Sequence, residues 1–156
     1  MDKKILFPFS LLLAILFVLS GCTLNIQPVT QTKEQQTKGA EELINKDEFL
    51  RRLDMLCKDI PIFENYIPDG RGAGKNIRYV GYFYLAPNGS KVDYPRLRIF
   101  YIDYFKANGW EITEDWDFGS KSVKAEKNGF EVHIFTAPDW GMNYGKAYSI
   151  GCSKAS

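Results

Sequence analysis

The sequence predicts an α+β fold, a two-layer sandwich of a mainly antiparallel sheet of about five strands with two helices packed on one face. Three observations carry this. Apolar residues recur at helical spacing in two segments, and β-branched or aromatic runs with period-two alternation fill several others. The order is helix, strand, helix, then a run of four short strands, which is the pattern of helices laid against an antiparallel meander.

The first helix is expected to begin near Asn45, where Asn45 and Glu48 form a variant of the capping box. Phe49, Leu50, Leu53, Leu56 and Cys57 then share one face, with Arg51, Asp54 and Lys58 on the other, and Pro61 ends the element. Residues 62–76 read as a turn-rich loop because they hold Pro68-Asp69-Gly70 and Gly72-Ala73-Gly74-Lys75. Gly74-Lys75 is not a phosphate loop. Asp69 stands where the first glycine of that motif is needed, Asn76 stands where Ser or Thr is needed, and no strand is expected before it.

Ile77–Leu85 is expected to be the first strand, with Ile77, Tyr79, Phe83 and Leu85 on one face and Arg78, Val80, Tyr82 and Tyr84 on the other. Apolar groups on both faces suggest partial cover on both sides. Gly81 in mid-strand marks a bulge or a close approach by another backbone. The second helix is bounded by Asp93 or Tyr94 with Pro95 at its start and by Gly109 after Asn108. Its stripe is Leu97, Phe100, Tyr101, Tyr104 and Phe105. Strands over about 110–116, 121–127, 130–136 and 146–152 complete the sheet, and Asn128-Gly129 is a two-residue hairpin signal. Phe130, Val132 and Ile134 should face the core, and Glu131, His133 and Phe135 should face outward. Tyr148, Ile150 and Cys152 share a face in the last strand.

The N-terminus has the three parts of a secretory signal: the basic Lys3-Lys4, an apolar run from Ile5 to Leu19, and small residues before a cut site. The run is short for a spanning helix and contains Pro8. Leu19-Ser20-Gly21-Cys22 resembles the lipobox of bacterial lipoproteins, a likeness that covers the leader through Cys22. It implies lipidation of the Cys22 thiol, removal of residues 1–21, and anchoring by acyl chains such as palmitate. Two or three chains exceed the single chain that holds a protein only marginally. The expected organisation is therefore a signal peptide at 1–21, a lipidated Cys22 with a flexible tether over 22–40, and a single domain over 41–156. The tether is rich in Thr, Gln and Lys and has little to bury. Its span is on the order of 20–25 Å as a coil and about 60 Å taut. In a Gram-negative organism the anchor would lie in the outer membrane facing the periplasm, since Thr23 lacks the Asp that in this family signals inner-membrane retention.

The chain carries 20 basic and 19 acidic residues, and the leader takes Lys3, Lys4 and Asp2, so the two signs balance. Without basic clusters it is a poor candidate for nucleic acid, whose binding rests on phosphate neutralisation. Lipid on Cys22 leaves Cys57 and Cys152 as an even pair in an oxidising compartment, either bridged or as two buried thiols. The bridge is the favoured reading, because Cys57 lies on the apolar helix face and Cys152 shares the face of Tyr148 and Ile150.

No catalytic constellation is legible. His133 is the sole histidine, with Glu131 on its face, but no nucleophile is placed beside it. Glu111, Glu114, Asp115 and Asp117 cluster near a turn but lack the spacing of a calcium loop. No metal and no cofactor are expected. The contact residues predicted for a partner are Trp116, Phe118, Trp140, Met142 and Tyr144, on two connections expected at one sheet end. The outward faces carrying Val80, Tyr82, Tyr84 and Phe135 form a second candidate surface.

The segment from Tyr101-Ile102-Asp103-Tyr104-Phe105 through Gly109-Trp110, with the hairpins after it, resembles a pattern common in small uncharacterised bacterial lipoproteins. This likeness spans roughly residues 77–152 and implies no particular activity. The expected function is a lipid-anchored, non-enzymatic binding or assembly module that meets another protein of the cell envelope. A small envelope hydrolase using His133 is one alternative. A small-molecule carrier is another, which would show as an apolar cavity between sheet and helices.

Overall fold

The computed structural model describes residues 32–116, 121–136 and 146–156. It has the α+β class expected, enlarged by one helix and one strand. Helices α1 (Lys33–Lys46), α2 (Glu48–Asp59) and α3 (Tyr94–Ala107) accompany strands β1 (Ile67–Gly74), β2 (Tyr79–Leu85), β3 (Glu111–Trp116), β4 (Lys121–Lys127), β5 (Phe130–Thr136) and β6 (Ala147–Lys154). The six strands form one open antiparallel sheet in the order β1-β2-β6-β5-β4-β3. The meander β3 to β6 is as expected, and it returns β6 to the centre, beside β2. Among the described residues no helix is long and apolar enough to cross a membrane.

Residues 33–40, assigned to the tether from sequence alone, form the first turns of α1. A capping box starts it: the Gln35 N–H donates to Thr32 Oγ1, and the Thr32 N–H donates to Gln35 Oε1. Only Ala40 and Ile44 of α1 are buried, too sparse a stripe to read as an amphipathic helix. Asn45, expected to cap the next helix, lies inside α1. The cap of α2 is Asp47, whose carboxylate accepts from the Leu50 N–H at 3.1 Å.

The second correction is β1, which occupies the expected loop. Its Gly- and Pro-rich composition reads as turn, but an edge strand needs only backbone groups to pair, and β2 supplies them along its length. The register shifts between Pro68 and Gly70, placing a bulge at Asp69. The following strand starts two residues later than expected, because Lys75–Arg78 is a turn.

The third correction concerns β2. Val80 and Tyr84, offered as part of an outward surface, are buried at 0% and 5% exposure, and Tyr82 packs beside them. Both faces of β2 are apolar, so alternation could not say which one met the helices. The core side is Val80, Tyr82 and Tyr84, continued by Ile150 and Cys152 on β6, Val132 and Ile134 on β5, and Val123 and Ala125 on β4. Against it pack Leu50, Leu53 and Cys57 of α2 and Leu97, Tyr101 and Phe105 of α3. The hairpin between β4 and β5 turns at Asn128 and Gly129, both with positive φ (53° and 77°), as a tight two-residue turn requires.

Aromatic rings fill the space between α3, β6 and the 60–66 segment. Tyr148 stacks on Tyr84 and meets Tyr66 edge-on. Its hydroxyl accepts from the Phe63 N–H at 3.0 Å and lies 3.0 Å from the Tyr101 hydroxyl, which donates to the Pro61 carbonyl at 2.8 Å. With Tyr148 donating to Tyr101, every group in this run is satisfied, as buried polar groups require. The run holds a segment with no regular structure against the core.

Candidate functional site

Helices α2 and α3 pack on the side of the sheet that bears Val80 and Ile150, and α1 runs along the β1 edge, with Ile44 reaching that core. The opposite face is free of α2 and α3, and at its β1 edge α1 brings Lys33, Gln36 and Thr37 over it. Its composition follows from strand register, row by row. One row reads Gly70, Phe83, Ser149, Phe135, Ser122 and Trp116 from β1 to β3, so aromatic residues alternate with serines. The next row reads Gly72, Gly81, Gly151, His133, Lys124 and Glu114. Small residues thus line the central strand β6, between β2 and β5.

The glycines at 81 and 151 make room for a ring. A Cβ at Gly81 would lie 2.2 Å from the Tyr79 hydroxyl, and one at Gly151 would lie 2.5 Å from Tyr79 Cε2. Tyr79 therefore lies flat across two strands. The sequence signalled a close approach at Gly81, but the group that approaches is an aromatic ring and not another backbone. Gly151→Ala should cost about 1–3 kcal/mol by forcing this ring up. In the Tyr79→Ser background the same change should cost much less, so a double-mutant cycle by urea denaturation should show strong coupling. Additive costs would mean that the ring does not lie there.

A cavity of about 600 Å3 opens on this face, lined by Tyr79, Phe83, Phe135 and Ser149, with Lys33 and Thr37 of α1 at its rim. Lys33 donates to both Asp69 carboxylate oxygens, at 2.8 and 2.7 Å. A carrier was expected to show a cavity between sheet and helices; this one lies between the sheet and α1, on the face opposite α2 and α3.

His133 lies in the glycine row, its ring 5.4 Å from that of Phe135. Burial, aided by the Lys124 charge and opposed by Glu114, pushes its imidazole below the usual histidine range. Its Nε2 is buried without a hydrogen-bond partner among the described residues. Glu114 is engaged by Lys124 at 2.9 Å and by the Ser122 hydroxyl at 2.7 Å. These bonds hold its carboxyl below the ordinary range, with the Ser122 bond the larger cause. Asp115 pairs with Arg98 of α3.

Asp54, expected on the solvent side of its helix, is 6% exposed. It receives Lys58 at 2.8 Å, Arg71 at 3.3 Å and the Tyr82 hydroxyl. Burial alone would raise its carboxyl; the bonds from Lys58 and Tyr82 and the charge of Arg71 outweigh this and hold it low. Arg71 also reaches Glu41 at 3.6 Å, so one ionic cluster ties α1, α2, β1 and β2 together. A lone acidic residue among basic ones reads as surface, which is why the sequence hid this cluster.

Of the predicted contact residues, Trp116 is 59% exposed at the end of β3. The Tyr94 hydroxyl donates to its carbonyl at 2.6 Å. Phe118, Trp140, Met142 and Tyr144 lie outside the described residues, as do Cys22 and Asp117. The strand ends that flank the two connections, at Trp116, Lys121, Thr136 and Ala147, do fall at one end of the sheet. Cys57 of α2 and Cys152 of β6 are joined by a disulfide, with their Cα atoms 5.8 Å apart. Comparison with known proteins finds no family model, no curated protein and no solved structure that matches the chain.

Proposed function

We propose that the chain is a lipid-anchored, non-enzymatic module of the cell envelope that binds another envelope protein at the Trp116 end of the sheet. The observation that carries this is Trp116 itself, a large aromatic group more than half exposed on a strand end whose carbonyl is fixed by Tyr94. Exposed aromatics on a preorganised backbone are typical anchors of interfaces. Asp115 beside it is already tied to Arg98, which stiffens the same strand end. Phe118, Trp140, Met142 and Tyr144 would extend the contact along the adjoining connections. The lipobox-like Leu19-Ser20-Gly21-Cys22 supports the anchor, and the paired cysteines suit an oxidising compartment.

Trp116→Ala, and separately Trp140→Ala with Tyr144→Ala, should leave the melting temperature nearly unchanged while recovery of a crosslinked envelope partner collapses. Truncating an interface anchor of this type costs about 2 kcal/mol or more in affinity. Recovery equal to that of the unaltered protein would remove this end of the sheet from the interface.

A further inference from the structure

We propose that the cavity on the face opposite α2 and α3 binds the hydrocarbon chain of a single-chain amphiphile, whose head-group oxygens are received at the Lys33 rim. Phe83 and Phe135 stand on either side of Ser149 in one cross-strand row, and Tyr79 bounds the same space. The result is a trough with aromatic walls and a floor of small residues. At about 600 Å3 it falls within the range of about 300–1,000 Å3 usual for small-molecule sites. Its polar groups are gathered at one side, where α1 and β1 contribute Lys33, Gln36, Thr37 and Asp69. Lys33 contacts both Asp69 oxygens and has no other hydrogen-bond partner among the described residues, so its ammonium keeps a donor for an ester, carboxylate or phosphate oxygen. An apolar trough with an oxygen-seeking donor at one side matches a molecule with one apolar tail and one polar head.

A peptide fits this space less well. The floor strand β6 is paired on both sides, by β2 and β5, so an extended segment finds no strand edge to join. Its amides would enter the trough unpaired, at about 1–3 kcal/mol each. A hydrocarbon chain carries no such groups. This assignment depends neither on the Cys22 anchor nor on the protein contact at Trp116.

The test is displacement of a fluorescent fatty acid from the full chain by palmitate and by a lysophospholipid, with glycerol phosphate as the head-only control. Both single-chain competitors should displace it, and the head-only control should not. Thr37→Trp, which fills the trough from the rim of α1, and Phe83→Ala, which removes a wall, should each weaken binding by about tenfold or more, equivalent to about 1.4 kcal/mol. Melting curves identify variants that have lost the fold, and Thr37→Trp replaces a helix side chain outside the core. A preference for palmitate over the lysophospholipid, or the reverse, identifies the head. Failure of both to displace the probe, or displacement unaffected by either folded variant, would overturn the assignment. Displacement by an extended apolar peptide but by neither amphiphile would do the same.

Discussion

Reducing the Cys57–Cys152 bond should lower the free energy of unfolding by about 4–5 kcal/mol, the chain-entropy value for a closed loop of this length. The two residues are 95 apart in sequence, so the bond removes a large share of the unfolded chain's freedom. It also crosses the two layers, joining the last turn of α2 to the central strand β6. Both residues are fully buried, so a mild reductant acts on the unfolded chain and not on the native one. Reduced thiols fit an apolar site as small hydrophobes, so the fold should survive reduction at lower stability. Urea denaturation of the protein refolded with and without dithiothreitol reads the difference directly. A change below about 1 kcal/mol would mean that the bond does not constrain the chain as its position implies.

The second large effect is expected at Tyr148. Tyr148→Ala should cost about 3–5 kcal/mol, since it empties the centre of the aromatic cluster. Tyr148→Phe keeps the ring and removes the hydroxyl, leaving the Phe63 N–H without its acceptor, and should cost about 1–3 kcal/mol. The difference between the two separates packing from hydrogen bonding. The same residue sets an alkaline limit. Burial is the main cause that pushes the Tyr148 hydroxyl up to about 12 from its ordinary value of 10.0, and burial also raises Tyr101. A raised folded value stabilises the fold below the unfolded value, and that stabilisation is lost as pH rises through the folded one. Stability should therefore fall between about pH 10 and pH 12, with tyrosinate absorbance rising together with unfolding. Tyrosinate that forms well before unfolding would contradict this placing of the hydroxyls.

The parts of the fold legible in the sequence were those with strong periodicity or specific turn chemistry. The stripe Leu97, Phe100, Tyr101, Tyr104, Phe105 identified α3, and Asn128-Gly129 identified the β4–β5 hairpin, with both strand ranges as observed. The parity that set Cys152 beside Tyr148 and Ile150 also held. What stayed hidden lacked a local signal. β1 is an edge strand whose glycines and proline say turn, and only its pairing with β2 makes it a strand. α1 buries two residues, so its stability comes from its cap and from packing on the sheet edge.

The candidate site was legible only in outline. Trp116 was visible as an aromatic near a turn. The alternation of Phe83, Ser149, Phe135, Ser122 and Trp116 arises from register among strands far apart in sequence, which no local pattern reports. The choice of face on β2 was also beyond the sequence, because Val80 and Tyr84 on one side and Tyr79 and Phe83 on the other are equally apolar.

The proposed anchor at Cys22 underlies the envelope setting of the proposed function, and the mass of the N-terminal peptide tests it most directly. Protein extracted from membranes should yield an N-terminal peptide that begins at Cys22 and carries a diacylglyceryl group, and Cys22→Ser should abolish both the lipid and the processing. A mature chain that retains residues 1–21, or one that begins elsewhere without lipid, would contradict the account.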